Sequence, residues 1–253
     1  MHVGRRTSPQ RARAGNRCCK AHAKRDGRGF ANMRAIRQKG VGAMQTILVA
    51  NPKGGSGKTT LATNIAGWLA GKRQRVVLED RDPQQSSAFW LSRRPALFPK
   101  VMSADDAQHA KKGEAPAWRV VDSAAGVHGD DLRDAVKAAD ILLIPVTPSV
   151  LDMAATARFL TKIAEYKPVK QGDLATGLVG MRVDSRTHSS ADLDEFMKST
   201  GFPVVAQLRV TQVYVYCARD GASIFDLPRS RAEQDWEQWK PLTRWIARHA
   251  PSK

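Results

Sequence analysis

The run Lys53-Gly54-Gly55-Ser56-Gly57-Lys58-Thr59-Thr60 has the residue types and spacing to hold a phosphate. It follows an apolar stretch, Ile47-Leu48-Val49-Ala50, and precedes a helix-like pattern from Leu61 to Leu69. A strand, a glycine loop and a helix in that order let successive backbone N–H groups converge on phosphate oxygens. Gly54, Gly55 and Gly57 permit the tight turn, and the helix start adds the positive end of its dipole. Lys58 is spaced to reach the β/γ-phosphates, and Thr59 to offer its hydroxyl to Mg²⁺. The plain alternative is a chance glycine turn ahead of a helix, and the Gly-Lys-Thr ending in this setting argues against it.

Two further apolar runs end in acid. Val76-Val77-Leu78 leads into Glu79-Asp80-Arg81-Asp82-Pro83-Gln84, and Trp118-Arg119-Val120-Val121 leads into Asp122. Carboxylates at the carboxyl ends of strands beside a phosphate loop lie where Mg²⁺ and an attacking water would sit. Taken alone, Asp82-Pro83 is a common turn starter and Asp122 a buried strand that happens to end in an acid. Paired with the loop, both become candidates for metal and water.

Lys53 separates this loop from the ordinary Gly-x-x-x-x-Gly-Lys-Thr pattern. Lys-Gly-Gly-x-Gly-Lys-Thr-Thr is the deviant Walker A motif, and with Asp-x-Asp-Pro-Gln at 80–84 the chain resembles the ParA/MinD family of ATPases, especially the short ParA type. The resemblance spans about residues 44–230. It implies an α/β fold of the P-loop NTPase kind, with a mostly parallel sheet and helices on both faces. It also implies ATP and Mg²⁺ as cofactors, a homodimer formed on ATP binding, and weak hydrolysis stimulated by a partner protein. Lys53 would act in trans on the partner's nucleotide, and Lys58 in cis. Asp82 would position the attacking water and Asp80 would lie near the metal. Asp122 would hold Mg²⁺ through a water or hydrogen-bond Thr59. The chain departs from the family at Ser123-Ala124-Ala125-Gly126, where Thr-Pro is usual after the aspartate. It departs again at Met181, where relatives often carry an asparagine near the base, so ATP over GTP rests on the resemblance alone. The segment Asp140 to Ser149 is similar to the family's fourth strand. Thr147 or Ser149 would cap the following helix, with partner-facing surface near Asp152.

Asp184-Ser185-Arg186-Thr187 resembles a segment whose arginine contacts DNA in chromosome-partitioning members. Arg186 is the leading candidate for a phosphate contact and Arg209 a second, while Gln212 stands where a further basic residue is usual. Arg182, Arg219, Arg229 and Arg231 would supplement them; the alternative for each is a solvated surface charge. Such binding would be non-specific and strongly salt-dependent. The implied function is to segregate or position a cargo (plasmid, chromosome or protein complex) with a ParB-like or other adaptor. The competing reading is a MinD-like membrane-cycling spatial regulator. It would use Trp236, Trp239, Leu242, Trp245 and Ile246, which have helical spacing but are interrupted by Pro241; docking on the domain is favoured for them. An Fe–S-linked relative would need interface cysteines, and the body carries only Cys217.

Short apolar runs alternating with helical patterns must position these residues. That alternation predicts a parallel sheet, with strands at 46–50, 76–80, 118–122, 141–146, 175–181 and 204–208. Helices are predicted at 58–71, 86–93, 130–138, 150–165, 190–199 and 231–248, and the segment 98–116 is the least regular. The 253 residues suffice for one sizeable core. The formal charge of +17 is uneven, because 1–43 carries +11 of it. That stretch has no apolar period and reads as a basic disordered tail. It is either a nucleic-acid-binding arm or, the favoured reading, upstream of a true start at Met44, with 44–253 as the ATPase domain. Sparse cysteine and no apolar run near the ~18 residues a span requires predict a cytoplasmic protein without stable membrane insertion, nucleoid-associated in its ATP state.

Overall fold

In the computed structural model, residues 44–111 and 113–250 are described, together with Met1. The predicted basic tail otherwise lies outside the described residues. β1 (Gln45–Val49) is buried along its whole length. Its side chains alternate between two cores, with Ile47 and Val49 in one and Leu48 in the other. A strand apolar on both faces belongs in the middle of a covered parallel sheet, and that is its position.

From β1 the chain runs through α1 (Lys58–Gly71), β2 (Val76–Asp80), α2 (Ser86–Ser92) and α3 (Ala104–Gln108). It continues through β3 (Trp118–Asp122), α4 (Gly129–Ala138), β4 (Ile141–Val146), α5 (Val150–Ala164) and the short α6 (Lys167–Lys170). β5 (Ala175–Val183), α7 (His188–Ser199), β6 (Val204–Arg209), α8 (Gln212–Asp220), a 3-10 turn (Ile224–Asp226) and α9 (Arg229–His249) complete it. The six strands lie in the order β2-β3-β1-β4-β5-β6, and every pairing is parallel. Helices α1, α2, α8 and α9 supply the first core, and α4, α5 and α7 the second. The fold is therefore the α/β architecture that the strand spacing predicts.

The order places β1 between β3 and β4, where the chain's crossovers diverge. Crevices of this kind open at the carboxyl ends of the strands and receive ligands. Residues 50–57, 81–85 and 123–128 leave their strands at that end.

The predicted strands and helices are all present, with ends moved by one or two residues. The short α6 and the 3-10 turn are additions, and three further features differ. Segment 98–116 contains α3, started by a capping box in which Ser103 and Asp106 exchange hydrogen bonds. Helix α8 was not predicted; it begins where Thr211 accepts from the Val213 N–H and ends at Gly221, φ 64°. A Cβ on Gly221 would lie 2.5 Å from the Arg93 carbonyl carbon, so both the turn and the close approach require glycine. Pro241 does not interrupt α9. The lost backbone bond is offset by burial of Trp239, Leu242, Trp245 and Ile246 on the sheet, which settles those residues as packing rather than membrane-facing. Among the described residues no helix is long and apolar enough to cross a membrane.

Candidate functional site

Asn51, directly after β1, shapes the loop before its glycines begin. Its buried side-chain amide donates to the Pro145 carbonyl at 2.8 Å and to Thr156 Oγ1 at 3.0 Å. Its oxygen accepts from the Lys53 N–H at 2.8 Å. The loop is thus fastened to β4 and α5 before it turns. Gly55 and Gly57 take φ of 75° and 94°, a region that strains other residues. A Cβ on Gly57 would also meet Met181 Cε at 2.9 Å. Gly54 makes no such close approach.

Gly57 is the N-cap of α1, and no side chain caps that helix. Its first-turn N–H groups are therefore directed at whatever binds in the loop. Lys58 is buried and its ammonium donates to the Lys53 carbonyl at 2.9 Å. Burial pulls its pKa down, with Asp122 and Asp82 acting in the opposite direction. The buried Ser56 hydroxyl has no hydrogen-bond partner. Thr60 keeps its place by accepting at its carbonyl from Asn64 Nδ2, 2.8 Å.

Asp122 is the centre of the arrangement. Oδ2 accepts from Thr59 Oγ1 at 2.8 Å and from Ser87 Oγ at 2.5 Å. Oδ1 is buried without a partner. Burial pushes the carboxyl up to about 6; the Ser87 and Thr59 hydrogen bonds oppose this, Asp80 adds to it and Lys58 opposes it. Asp80 is occupied in holding the loop that follows β2, accepting from the N–H groups of Asp82 and Ala88 at 2.9 Å each. Asp82 accepts from Gln84 N at 3.0 Å and, across to the loop after β3, from Ala125 N at 3.3 Å. The Ser123 hydroxyl bonds only the adjacent Ala124 carbonyl. The loop after β3, Ser123 to Gly126, is tied to the glycine loop by the Gly126 N–H, which donates to Pro52 O at 2.9 Å.

The orphaned Asp122 oxygen, the Thr59 hydroxyl beside it and the uncapped helix suit a phosphate with a hard divalent cation. Among the described residues no group of three or more His, Cys, Asp or Glu could hold a metal by itself. A cation here would complete its shell with phosphate oxygens and water. Beside the start of α1 lies a cavity of about 440 Å³, walled by Thr59, Thr60, Phe89, Trp90 and Tyr214.

Lys53 is half-exposed, with Nζ 3.6 Å from Asp152 Oδ1. Thr147 donates to the other oxygen of Asp152. Neither expected cap forms: Thr147 is used on Asp152, and Ser149 stands at the N-cap without a side-chain bond. The three arginines predicted to meet DNA lie at the carboxyl ends of β5 and β6, where Val183 pairs with Arg209. They differ in what they do. Arg186 is 87% exposed and paired with Asp184, whose carboxyl it draws down to about 2. Arg182 is exposed, at φ 55°. Arg209 makes two bonds, 2.8 and 3.1 Å, to the fully buried Asp235. It is a structural ion pair before it is anything else.

Asn51 and Ser87 were missed by the sequence reading. Asn51 carried a faint signal, an Asn-Pro step at the mouth of the loop. Ser87 carried none, since its partner is 35 residues away.

Residues 47–216 match the model of the CobQ/CobB/MinD/ParA nucleotide binding domain. The chain is 31% identical over 199 residues to the maintenance of carboxysome distribution protein A of Halothiobacillus neapolitanus, covering 75% of this chain and 91% of that one. It is 30% identical over 190 residues to the protein of the same name in Gloeobacter kilaueensis, covering 71% and 83%. Its fold superposes on an ATP complex of a Cyanothece McdA variant with a TM-score of 0.59, at 20% identity, over 79% of this chain and 96% of that one.

Proposed function

The chain belongs to the CobQ/CobB/MinD/ParA nucleotide-binding family, as an ATPase of the ParA/MinD type, and from that premise we propose a Mg²⁺-dependent switch that positions a cargo. The observation that carries this reading is the Thr59–Asp122 hydrogen bond under an uncapped, glycine-led helix start. The functional unit is 44–253. Gly54 to Thr60 cradle the phosphates with backbone N–H groups, and Lys58 supplies charge at the β/γ oxygens. Thr59 and Asp122 hold Mg²⁺, which neutralises the phosphate charge that develops during transfer. Asp82 orients the attacking water, and Asp80 keeps the Asp82 backbone in place.

Two copies close face to face on ATP, and Lys53 of each enters the other's site. A basic surface at the ends of β5 and β6, with Arg186 and Arg182 foremost, then meets nucleic-acid phosphates without reading sequence. Hydrolysis, accelerated by an adaptor protein, ends the contact. The two relatives matched at 30–31% identity over more than two thirds of both chains are named for distributing carboxysomes, which favours a protein assembly as cargo. Matches to chromosome-partitioning proteins at 35–47% identity span 36% of this chain or less. The burial of Trp239 and Trp245 speaks against the membrane-cycling alternative.

The test is DNA retention by the full chain with ATP, ADP and no nucleotide, for wild type, Lys53→Ala and Arg186→Ala. Binding only with ATP, lost in both variants, is expected. Equal binding in every nucleotide state would sink the switch.

A further inference from the structure

Ser87 stands in the first turn of α2, fully buried, and reaches a carboxylate on a different strand. Its hydroxyl and that of Thr59 converge on the same oxygen, Asp122 Oδ2. A carboxylate held by one donor can turn about its terminal torsion and exchange its two oxygens. With two donors from separate helices, turning breaks both bonds together. Oδ1 is then left as the oxygen with spare capacity, buried and unpaired.

We infer that Ser87 is a positioning residue for Asp122, holding Oδ2 on α2 so that Oδ1 is the oxygen offered to the Mg²⁺–nucleotide. Thr59 cannot do this alone, because its hydroxyl must also serve the cation. Ser87 has no second task. Its own helix is anchored at both ends, which makes it a fixed donor. Asp80 Oδ2 accepts from the adjacent Ala88 N–H at 2.9 Å. Trp90 Nε1 donates to the Ala222 carbonyl at 2.9 Å. Beyond the helix, Arg94 forks onto both oxygens of Asp226 at 2.9 and 3.0 Å. The inference rests on the nucleotide reading above.

The test measures ADP affinity of the full chain by calorimetry, in excess EDTA and in saturating Mg²⁺, for wild type, Ser87→Ala, Ser87→Thr and Asp122→Asn. The quantity read is the gain in affinity that Mg²⁺ brings. Loss of a group that orients a metal ligand typically costs 10–100-fold in metal affinity. Ser87→Ala is therefore expected to cut the Mg²⁺ gain by roughly tenfold with EDTA affinity unchanged, while the metal-free melting temperature falls because the buried Asp122 carboxylate loses one of its two donors. Ser87→Thr, which keeps the hydroxyl, restores most of the gain, and if its methyl proves too large Ser87→Cys, a weak donor, falls between wild type and alanine. Added to Asp122→Asn, Ser87→Ala has no further effect. A drop in EDTA affinity equal to the drop in Mg²⁺ means that Ser87 is merely structural, and overturns the inference. A Mg²⁺ gain retained in full by Ser87→Ala overturns it while leaving the nucleotide reading intact. If wild type gains nothing from Mg²⁺, the metal reading of the site fails and takes this inference with it.

Discussion

The Lys58 ammonium donates to the carbonyl oxygen of Lys53, so the two lysines that define the loop are joined side chain to backbone. In this arrangement Lys58 is withdrawn into the loop it serves. A buried ammonium with one carbonyl partner is an electrostatic cost to the fold, as the lowered pKa reports. Lys58→Met keeps the stem and removes the charge, and is expected to melt at or above the wild-type temperature without nucleotide. The same variant should lose at least about tenfold in ATP affinity, the worth of a hydrogen bond to a charged group. Scanning calorimetry with and without Mg²⁺-ATP separates the two effects, since only a bound nucleotide raises the melting temperature. A nucleotide-free melt well below wild type would make Lys58 a structural residue.

Asp122 gives a pH dependence with a definite sign. Its folded-state value of about 6 is above the ordinary 3.8, so the folded protein holds this proton more tightly than the unfolded chain. Between those values stability from this group is gained on acidification and lost as pH rises. Above about pH 6 the fold carries the full penalty, on the order of 3 kcal/mol. Asp122→Asn removes it. In Mg²⁺-free buffer the variant should be more stable than wild type near pH 7.5 by up to that amount, and equal to it near pH 4. Urea melts at the two pH values decide the point; a constant difference would mean that burying this carboxylate costs nothing.

What could be read in advance was local in the chain. The glycine loop declares itself within eight residues, Asp80 and Asp122 stand at the ends of apolar runs that suit buried parallel strands, and Asp82 is legible through the Asp-x-Asp-Pro-Gln spacing at 80–84. What could not be read depends on distant pairs. Asn51 finds Thr156, and Arg209 finds Asp235, through the packing of the sheet rather than through any pattern near them. The same limit explains Pro241: its local tendency is to end a helix, and the apolar face of α9 outweighs it. Helix α8 was missed because Val213 to Cys217 is an unbroken run of apolar and aromatic residues, which hides the helical spacing of the three, Val213, Tyr214 and Cys217, that pack on the core.

Arg186 and Arg209, both candidates for phosphate contact, should behave differently when removed. Arg186 and Asp184 form an exposed pair, and Arg186→Ala is expected to leave the denaturation midpoint unchanged. Arg209→Ala strands a fully buried carboxylate and should cost about 2–3 kcal/mol. Arg209→Ala with Asp235→Asn should recover part of that loss. Denaturant melts of the four proteins check this before any DNA measurement is interpreted. A DNA defect in Arg209→Ala that disappears in the double variant would belong to the fold and not to the interface.

Lys53 and Asp152 supply the last prediction. Lys53 Nζ is 3.6 Å from Asp152 Oδ1, too far for a good hydrogen bond, and its side chain is 40% exposed. Pairs of this kind contribute about 0–1 kcal/mol. That is enough to keep Lys53 at its own loop in a single subunit, and weak enough to be exchanged for a nucleotide phosphate on a partner. Thr147 also bonds Asp152, so the carboxylate stays in place when the lysine leaves. Asp152→Asn keeps the shape and removes the attraction. It is expected to leave the melting temperature unchanged within about 1 °C and to tighten ATP-dependent self-association by roughly two- to fivefold, the equivalent of the lost pair. Sedimentation velocity over a range of protein concentrations, with ATP and with ADP, measures both the change and its nucleotide dependence. Weaker association in Asp152→Asn would mean that Asp152 works inside the dimer, holding Lys53 on its way across, rather than restraining it beforehand.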